Sequence, residues 1–239
     1  MNPSSESQGR ISEWVVYNTN QLVVFNKPPG MPVQPDKTGD TSLIEAAMAW
    51  CKHTLFLVHR LDRPCSGLVV FAKNGKAANK LSQQFKTQEV AKTYLAVVAV
   101  KPEPEIGVLH HFLKKNPHTN KTYVSADGTG KAAILEYQVL ESIQHYHLLQ
   151  VRPTTGRHHQ IRAQLAAIGS PIRGDVKYGF RRGNRDRSIH LHAWKIAFQH
   201  PVSGERLELM APPPADSLWQ AFEFVRQLAT SNTDSHEEE

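Results

Sequence analysis

A single carboxylate stands among basic residues in the stretch HRLDRPCSGLVVFAKN, which covers residues 59–74. Asp62 lies between Arg60 and Arg63, just before a Pro-Cys-Ser-Gly turn that leads into an apolar run. Nearby positive charge favours the ionised form of an acid, so we expect Asp62 to remain an ionised carboxylate at neutral pH. Such a group is a poor proton donor at neutral pH but can act as a nucleophile or a general base. The alternative is a structural ion pair within a loop.

A second cluster of charge occurs in the stretch TGRHHQIRAQLAAIGSPIRGD. Four basic side chains gather at one predicted helix start: Arg157, His158, His159 and Arg162. Arg162 lies beside the apolar face formed by Ile161 and Leu165, so we expect its guanidinium to project toward the interior. A half-buried arginine needs a carboxylate partner, and Asp62 would supply one. The alternative is a basic helix whose charges are solvated.

Tyr94 and Lys92 lie two residues apart in the predicted strand KTYLAVVAV and therefore share one face of the sheet. A ring beside a cation can stack on a nucleobase while the cation contacts phosphate. The alternative is a tyrosine that simply packs in the core.

Metal and cofactor sites lack a comparable pattern. Three histidine pairs do not combine with acids or cysteines at the spacings of zinc sites: His110 with His111, His158 with His159, and His190 with His192. Cys65 before Ser-Gly is weak evidence for a nucleophile. The sequence contains no Walker loop and no GxGxxG motif, so we predict neither a metal nor a cofactor.

The elements that must position these residues are mostly short strands. Strands are predicted within EWVVYNTNQLVVFNK, SGLVVFAKN, KTYLAVVAV, AILEYQVLE, YHLLQVRP and SIHLHAWKIAF, the last of them half-buried. Helices are predicted from a capping box of Ser42 and Glu45 to about Lys52, after Asn74, over RHHQIRAQLAAIG, and over DSLWQAFEFVRQL. Turns separate many strands where a parallel fold would need crossover helices, which favours an α+β fold with a largely antiparallel sheet.

Composition limits the class of protein. The 239 residues fit one large domain or two small lobes, and 40% hydrophobic with 21% charged residues is typical of a folded soluble protein. No apolar run reaches membrane-spanning length, and the N-terminus lacks the apolar segment of a signal peptide. We therefore expect no membrane contact and a cytoplasmic location, where the 2 cysteines would stay reduced.

Charge and polarity define the predicted ends of the chain. Residues 1–9 and 229–239 are polar and small, and we predict both to be disordered, the second as an acidic tail. The net charge of +6 becomes +10 for residues 1–233 once the four acidic residues of DSHEEE are left out. A basic body predicts a polyanionic partner such as nucleic acid, and a merely soluble basic protein is the alternative.

Several ordered motifs resemble the RluA family of RNA pseudouridine synthases. HRLDRPCSGLVVFAK is similar to the HRLDxxTSGL signature of that family, and FNKPPGMPVQP is similar to its opening KPxG segment. KTYLAVV resembles the KxY strand, TGRHHQIRAQLAAIGSPIRGD the GRxHQIRxHL block, and LHAWKIAFQHP with MAPPP the closing stretch. The resemblance spans residues 14–215, and we assign residues 10–228 to one catalytic domain.

The resemblance implies a pseudouridine synthase fold, a mixed and mainly antiparallel sheet with flanking helices and two lobes around a central cleft. Asp62 matches the family's essential aspartate, Tyr94 the tyrosine that packs on the target base, and Arg162 the arginine that pairs with the aspartate. Four further residues are expected to bind substrate: His59, Arg60, Lys92 and Arg157. The implied reaction detaches uracil from C1′ of a uridine, rotates it and rejoins it through C5, without cofactor or metal.

The implied protein is an isomerase acting on structured RNA, either transfer or ribosomal, and we expect it to be a monomer. The alternative is a catalytically silent RNA-binding protein that keeps the same fold. Three residues depart from the family pattern: Cys65 replaces threonine, His158 replaces threonine or serine, and Gln164 replaces histidine. The chain begins almost directly with the catalytic region, so we expect substrate choice to come from basic loops such as HHFLKKNPHTNK and YGFRRGNRDR.

Overall fold

The computed structural model describes residues 10–231, with side chains through residue 228. The predicted disordered segment 1–9 lies outside the described residues, and so does the predicted acidic tail from residue 232 onward. The last described helix continues to Ser231 and therefore includes the first three residues assigned to that tail.

Strands dominate the described part of the chain. They are β1 (Val15–Asn18), β2 (Leu22–Lys27), β3 (Phe56–Leu57), β4 (Ser66–Ala72), β5 (Ala91–Val98), β6 (Ile106–Asn116), β7 (Lys121–Val124), β8 (Lys131–Ser142), β9 (His147–Pro153), β10 (Leu191–Gln199) and β11 (Arg206–Met210). The helices are α1 (Leu43–Cys51), α2 (Gly75–Lys86), α3 (Gln160–Ala167) and α4 (Glu223–Ser231). Short 3₁₀ turns occur at Ile11–Trp14, Val176–Tyr178 and Trp219–Ala221.

All eleven described strands belong to one sheet. Its order is β1-β2-β4-β10-β5-β9-β8-β6-β7, with β3 paired to β4 and β11 paired to β10. Within residues 10–231 only β4 and β10 pair in parallel, and every other strand pair is antiparallel. The α+β class with a mixed, mainly antiparallel sheet is therefore confirmed.

Helices cover both faces of this sheet. Successive residues of a strand point to opposite faces, and the core divides in the same way along β2 and β4. Val23, Phe25, Val69 and Phe71 pack in the cluster that includes residues of α1 and α3. Leu22, Val24, Leu68 and Val70 pack in the cluster that includes residues of α2. The face that carries α3 is the one on which the predicted site residues meet.

Local sequence signals explain where the helices begin. Ser42 and Glu45 form the predicted capping box at the start of α1, with the Ser42 side chain accepting from the Glu45 backbone N–H. Asn74 caps α2 by accepting from the backbone N–H of Ala77 at 2.9 Å. After α3, Gly169 adopts a φ of +80°, which suits the predicted stop at that glycine.

Two sequence-based expectations about strands are wrong. The segment HHFLKKNPHTNK was expected to be a loop, but most of it lies in a hairpin formed by β6 and β7. Its strand residues are mostly exposed or partly buried and many are polar, so the segment lacks the regular apolar alternation that identifies a half-buried strand. Strand β10 was expected to be half-buried, but eight of its nine residues are buried or partly buried and most are fully so, because it pairs with β4 and β5 in the centre of the sheet.

Gly67 allows β4 to lie close to β10. Its φ is +112°, and a Cβ at this position would lie 2.4 Å from the carbonyl oxygen of Ala193. Because the obstacle is backbone, we expect Gly67→Ala to lower the free energy of unfolding by about 3 kcal/mol or more, measured by chemical denaturation. Gly75→Ala is the matched control, since a Cβ at Gly75 meets nothing within 4 Å. An effect of Gly67→Ala as small as that of the control would contradict this account of the packing.

Candidate active site

A tight turn places Asp62 at the entrance to β4. The backbone N–H of Cys65 donates to the carbonyl oxygen of Asp62 at 3.0 Å, which closes the turn. The backbone N–H of Gly30 donates to the carbonyl oxygen of Arg63 at 2.9 Å, which ties the turn to the KPPG segment. The Asp62 side chain is 21% exposed, so its carboxylate is held by the fold and still reaches solvent.

Lys27 supports this turn from within the protein. The residue is fully buried, and its Nζ donates to the carbonyl oxygens of Pro28 and Met31 at 2.8 Å and of Arg63 at 3.2 Å. Burial lowers the pKa of Lys27 to about 7, against the raising effect of the nearby Cys65 and Asp62. Lys27 thus fastens the KPPG segment to the backbone beside Asp62, a role that its sequence position alone does not indicate.

Arg162 provides the cation that contacts Asp62. Its Nη1 donates to Asp62 Oδ2 at 2.9 Å, while Nε and Nη2 donate to Asp175 Oδ2 and Oδ1 at 2.7 and 2.8 Å. The Arg162 side chain is only 5% exposed, so the alternative of a solvated basic helix is wrong for this residue. Burial acts to lower the pKa of Arg162, but the hydrogen bonds and charge of Asp175, together with the charge of Asp62, raise it overall. The guanidinium is therefore permanently charged and bridges two carboxylates.

The arginine that follows Asp62 in the sequence serves another purpose. Arg63 donates through Nε to the carbonyl oxygen of Gly30 at 2.8 Å, and its terminal nitrogens bind the carboxylates of Asp36 and Asp40. The expectation that both flanking arginines act on Asp62 therefore fails for Arg63. The contacting guanidinium comes from a position 100 residues further along the chain.

One pocket brings together six of the seven residues predicted to act on a substrate. It has a cavity volume of about 100 Å³ and is lined by Arg60, Asp62, Lys92, Tyr94, Arg157 and Arg162, among others. Tyr94 lies in the middle of the sheet, where β5 pairs with both β10 and β9. Burial raises the pKa of Tyr94, so its phenol stays neutral. The pocket thus combines a fixed anion, a neutral ring and several cations.

His59 does not line this pocket. Its Nε2 accepts a hydrogen bond from the backbone N–H of Val70 at 2.9 Å, and its ring stacks on Phe85 with a centroid distance of 4.4 Å. Burial, with a smaller effect of Lys92, lowers the pKa of His59 to about 3, so the ring is neutral and can accept this bond. The structure therefore gives His59 a role in fastening β4 to α2, in place of the predicted contact with substrate.

Asp175 is the main site residue that sequence reasoning missed. Its side chain is 1% exposed and makes a bidentate pair with Arg162. The available signal was the acid that ends the PIRGD sequence, 13 residues after Arg162. An acid after glycine is also common in turns, so the signal was ambiguous without the fold.

The departures from the family pattern have structural explanations. Cys65 is 3% exposed and burial raises its pKa, so the thiol stays protonated and is not a nucleophile. Gln164 is fully buried, and its side-chain amide donates to the carbonyl oxygens of Leu109 and Ala133 at 3.1 and 3.2 Å, which joins α3 to β6 and β8. His158 stacks on His159 at 3.8 Å and lies 2.8 Å from the Thr122 hydroxyl.

The described residues show neither a cluster suited to a metal ion nor a helix suited to a membrane. No group of three or more His, Cys, Asp or Glu side chains there is arranged to hold a metal ion. None of the helices in the described part of the chain is both long and apolar enough to cross a bilayer.

Comparison with known proteins identifies similar sequences over most of the chain. Residues 21–167 match the family model described as RNA pseudouridylate synthase. The ribosomal large subunit pseudouridine synthase C of Vibrio cholerae is 34% identical over 236 residues, covering 94% of this chain and 74% of that protein. The protein of the same name from Rickettsia conorii is 33% identical, covering 91% of this chain and 71% of that protein.

A solved structure shows the same fold. The human RNA pseudouridylate synthase domain containing 1 protein superposes with a TM-score of 0.73 at 25% sequence identity. The match covers 95% of this chain and 98% of that one.

Proposed function

This chain belongs to the RNA pseudouridylate synthase family and is an RNA pseudouridine synthase, and we propose that Asp62 is its catalytic carboxylate. The observation that supports this role is the Asp62–Arg162 contact of 2.9 Å at the wall of a pocket that also holds Tyr94. The enzyme is an isomerase that converts uridine in RNA to pseudouridine. A silent RNA-binding protein would have no need of this arrangement.

The reaction breaks the bond between N1 of uracil and C1′ of ribose and forms a bond between C5 and C1′. N1 gains a proton and C5 loses one, so the overall change is an isomerisation that needs no co-reactant. The Asp62 carboxylate can attack the sugar, attack the ring, or remove a proton from the ribose, and each of these roles needs an ionised acid. Arg162 orients the Asp62 carboxylate by a hydrogen bond and lies beside it as an opposite charge.

The pocket has a second task, because the uracil must stay in place between cleavage and rejoining. A base that is stacked in folded RNA has to be flipped out, at a cost of a few kcal/mol. We propose that the ring of Tyr94 stacks on the flipped base and so offsets part of that cost. Lys92 lies on the same face of β5, where burial lowers its pKa, and we propose that it contacts the substrate together with Arg60 and Arg157.

A basic groove, formed by residues of β6, β7, β8 and the turn before α3, adjoins the pocket. It has a volume of about 490 Å³ and includes Lys114, Lys115, Lys131 and Arg157 in its lining, with no acid among its lining residues. Gly156 and Arg157 line both the groove and the pocket, so the two spaces are adjacent. We propose that the RNA backbone follows this groove away from the target uridine.

Charge removal tests the path of the RNA. We expect Lys115→Gln with Lys131→Gln to weaken RNA binding about tenfold and to reduce the slope of log K against log salt by about 1.5, measured by fluorescence titration. Lys76→Gln with Lys80→Gln removes the same charge from α2, on the opposite face of the sheet, and should leave both quantities unchanged. Equal effects of the two double variants would contradict the assignment of the groove.

We propose ribosomal RNA as the substrate, with transfer RNA as the second candidate. The curated relatives from Vibrio cholerae and Rickettsia conorii are named for the large ribosomal subunit, which supports the first of these. The test is pseudouridine mapping across cellular RNA with and without the gene. Loss of a single pseudouridine in ribosomal RNA is the expected result, and loss confined to transfer RNA would favour the second candidate.

The remaining proposals concern the state of the enzyme in the cell. We propose that residues 10–228 act as one catalytic domain of two lobes, as a monomer and in the cytoplasm. We also propose that the reaction proceeds without metal or cofactor, because the isomerisation is balanced in atoms and electrons by itself.

A further inference from the structure

The two oxygens of the Asp62 carboxylate differ in their contacts with the protein. Arg162 Nη1 donates to Oδ2 at 2.9 Å, and Nε2 of His159 approaches the same oxygen at 3.5 Å. Within residues 10–231 no protein donor contacts the other oxygen, Oδ1. Asp62 lines the pocket, and Oδ1 has neither of the contacts that Oδ2 makes.

An uncommon backbone conformation places His159 for this contact. The residue precedes the first turn of α3 with φ 50° and ψ 26°, in the left-handed region, and its side chain does not cap the helix. Its ring instead lies 8% exposed beside the pocket, with Nδ1 2.8 Å from the hydroxyl oxygen of Tyr178. A non-glycine residue in this region is uncommon and often occurs at a functional site.

The contacts of Tyr178 favour the tautomer of His159 in which Nε2 carries the proton. The backbone N–H of Thr122 donates to the Tyr178 hydroxyl oxygen at 2.8 Å, so the phenol donates its own proton elsewhere. Nδ1 of His159 is a partner within reach at 2.8 Å, and an unprotonated Nδ1 accepts that proton. A neutral imidazole has one N–H, which is then on Nε2 and faces Asp62. Burial lowers the pKa of His159 to about 3, despite the opposing effect of Asp62, so the ring is neutral.

We propose that His159, held as the Nε2–H tautomer by Tyr178 and Thr122, is a positioning residue that anchors Oδ2 of Asp62 and leaves Oδ1 free for the target uridine. The inference rests on the proposed catalytic role of Asp62. The Arg162 hydrogen bond and the His159 ring beside the same oxygen restrict rotation of the carboxylate, and a reacting group must be held within a fraction of an ångström of its productive position. His159 acts through Asp62 and does not itself take part in bond making.

The tautomer is measurable without any substrate. In the full chain labelled with ¹⁵N-histidine, two-dimensional NMR that correlates ring nitrogens and carbons should show His159 with a protonated Nε2 and an unprotonated Nδ1. The His159→Gln variant identifies the signal by its disappearance. In Tyr178→Phe, which keeps the ring but loses the phenol proton, the His159 signals should shift toward a mixture of tautomers. A protonated Nδ1 in the unaltered protein would overturn the proposal.

Kinetics test the consequence for Asp62. We expect His159→Phe to lower the single-turnover rate about 10²-fold and Tyr178→Phe about tenfold, with RNA affinity within twofold of the unaltered enzyme. His159→Gln, whose amide N–H can still donate, should recover at least about tenfold relative to His159→Phe. Tyr137→Phe is the matched control, because the Tyr137 hydroxyl donates to the carbonyl oxygen of Pro104 at 2.8 Å, away from the pocket. Its rate should not change.

The outcomes separate this inference from the proposed function. If the unaltered enzyme forms pseudouridine and Tyr178→Phe matches its rate, the positioning role is wrong and the proposed function stands. If His159→Gln is as slow as His159→Phe, hydrogen-bond donation by His159 is not what the reaction needs. If Asp62→Asn retains activity, the proposed catalytic role of Asp62 is wrong, whichever tautomer His159 adopts.

Discussion

Asp62→Asn should abolish pseudouridine formation while the protein remains folded and still binds RNA. The amide keeps the size of the carboxylate and an oxygen that can accept from Arg162, but it has no charge and cannot act as nucleophile or base. We expect the single-turnover rate to fall on the order of 10⁴-fold or more, because a residue that takes part directly in bond making is replaced. Release of tritium from C5 of labelled uridine measures this rate.

Asp216→Asn is the control for loss of a carboxylate elsewhere. Asp216 lies just before the 3₁₀ turn at Trp219–Ala221 and accepts from the backbone N–H groups of Leu218 and Trp219 at 2.9 and 3.0 Å. Its Oδ1 also lies 3.4 Å from Nε2 of His190. The side-chain oxygen of asparagine can accept the same bonds. Its turnover should stay within twofold of the unaltered enzyme. Turnover by Asp62→Asn within about tenfold of the unaltered enzyme would remove Asp62 from the reaction, because general acid–base catalysis alone contributes more than that.

Arg162→Ala should have the second-largest effect, on both activity and stability. The change removes the only cation that bridges Asp62 and Asp175 among the described ion pairs, and it leaves the buried Asp175 carboxylate without a partner. Removing one member of a buried pair costs about 3–5 kcal/mol in the free energy of unfolding. The single-turnover rate should fall on the order of 10³-fold, since Asp62 loses its orienting hydrogen bond and its balancing charge.

A double variant separates the two effects of Arg162. In Arg162→Met with Asp175→Asn, the buried carboxylate is gone together with the guanidinium, so most of the lost stability should return. Activity should not return, because Asp62 still lacks its cation. Thermal unfolding and single-turnover rates measured on the same samples test this pair of expectations. Recovery of activity together with stability would show that Arg162 is needed for the fold alone.

Sequence alone was sufficient for the class of fold and for the pairing of Asp62 with Arg162. The pairing was predictable because Arg162 follows an apolar residue on a short helix and an interior arginine requires an anion. The contact of Asp175 with Arg162 was not predictable from the sequence. It depends on the path of the chain after α3, which no local sequence pattern indicates. Asp175, which accepts hydrogen bonds from Nε and Nη2 of Arg162, could therefore be identified only from the structure.

The direction in which individual side chains point was the second feature that the sequence did not predict. His59 and Arg60 are adjacent in an extended segment, yet only Arg60 lines the pocket while His59 binds the backbone of β4. Which residue points inward depends on the register of the segment against β4, and a short irregular stretch does not reveal it. The hairpin of β6 and β7 was missed for a related reason, since solvated strands carry little apolar alternation.

The most direct test of the central claim is a crystal structure of the Asp62→Asn variant bound to a substrate RNA identified by mapping. We predict that the target uridine lies flipped in the pocket, stacked on Tyr94, with its ribose or ring within about 3.5 Å of the residue 62 side chain. Arg162 should contact that side chain from the opposite side. A target base bound outside the pocket, or a uridine beyond contact distance of residue 62, would contradict the account.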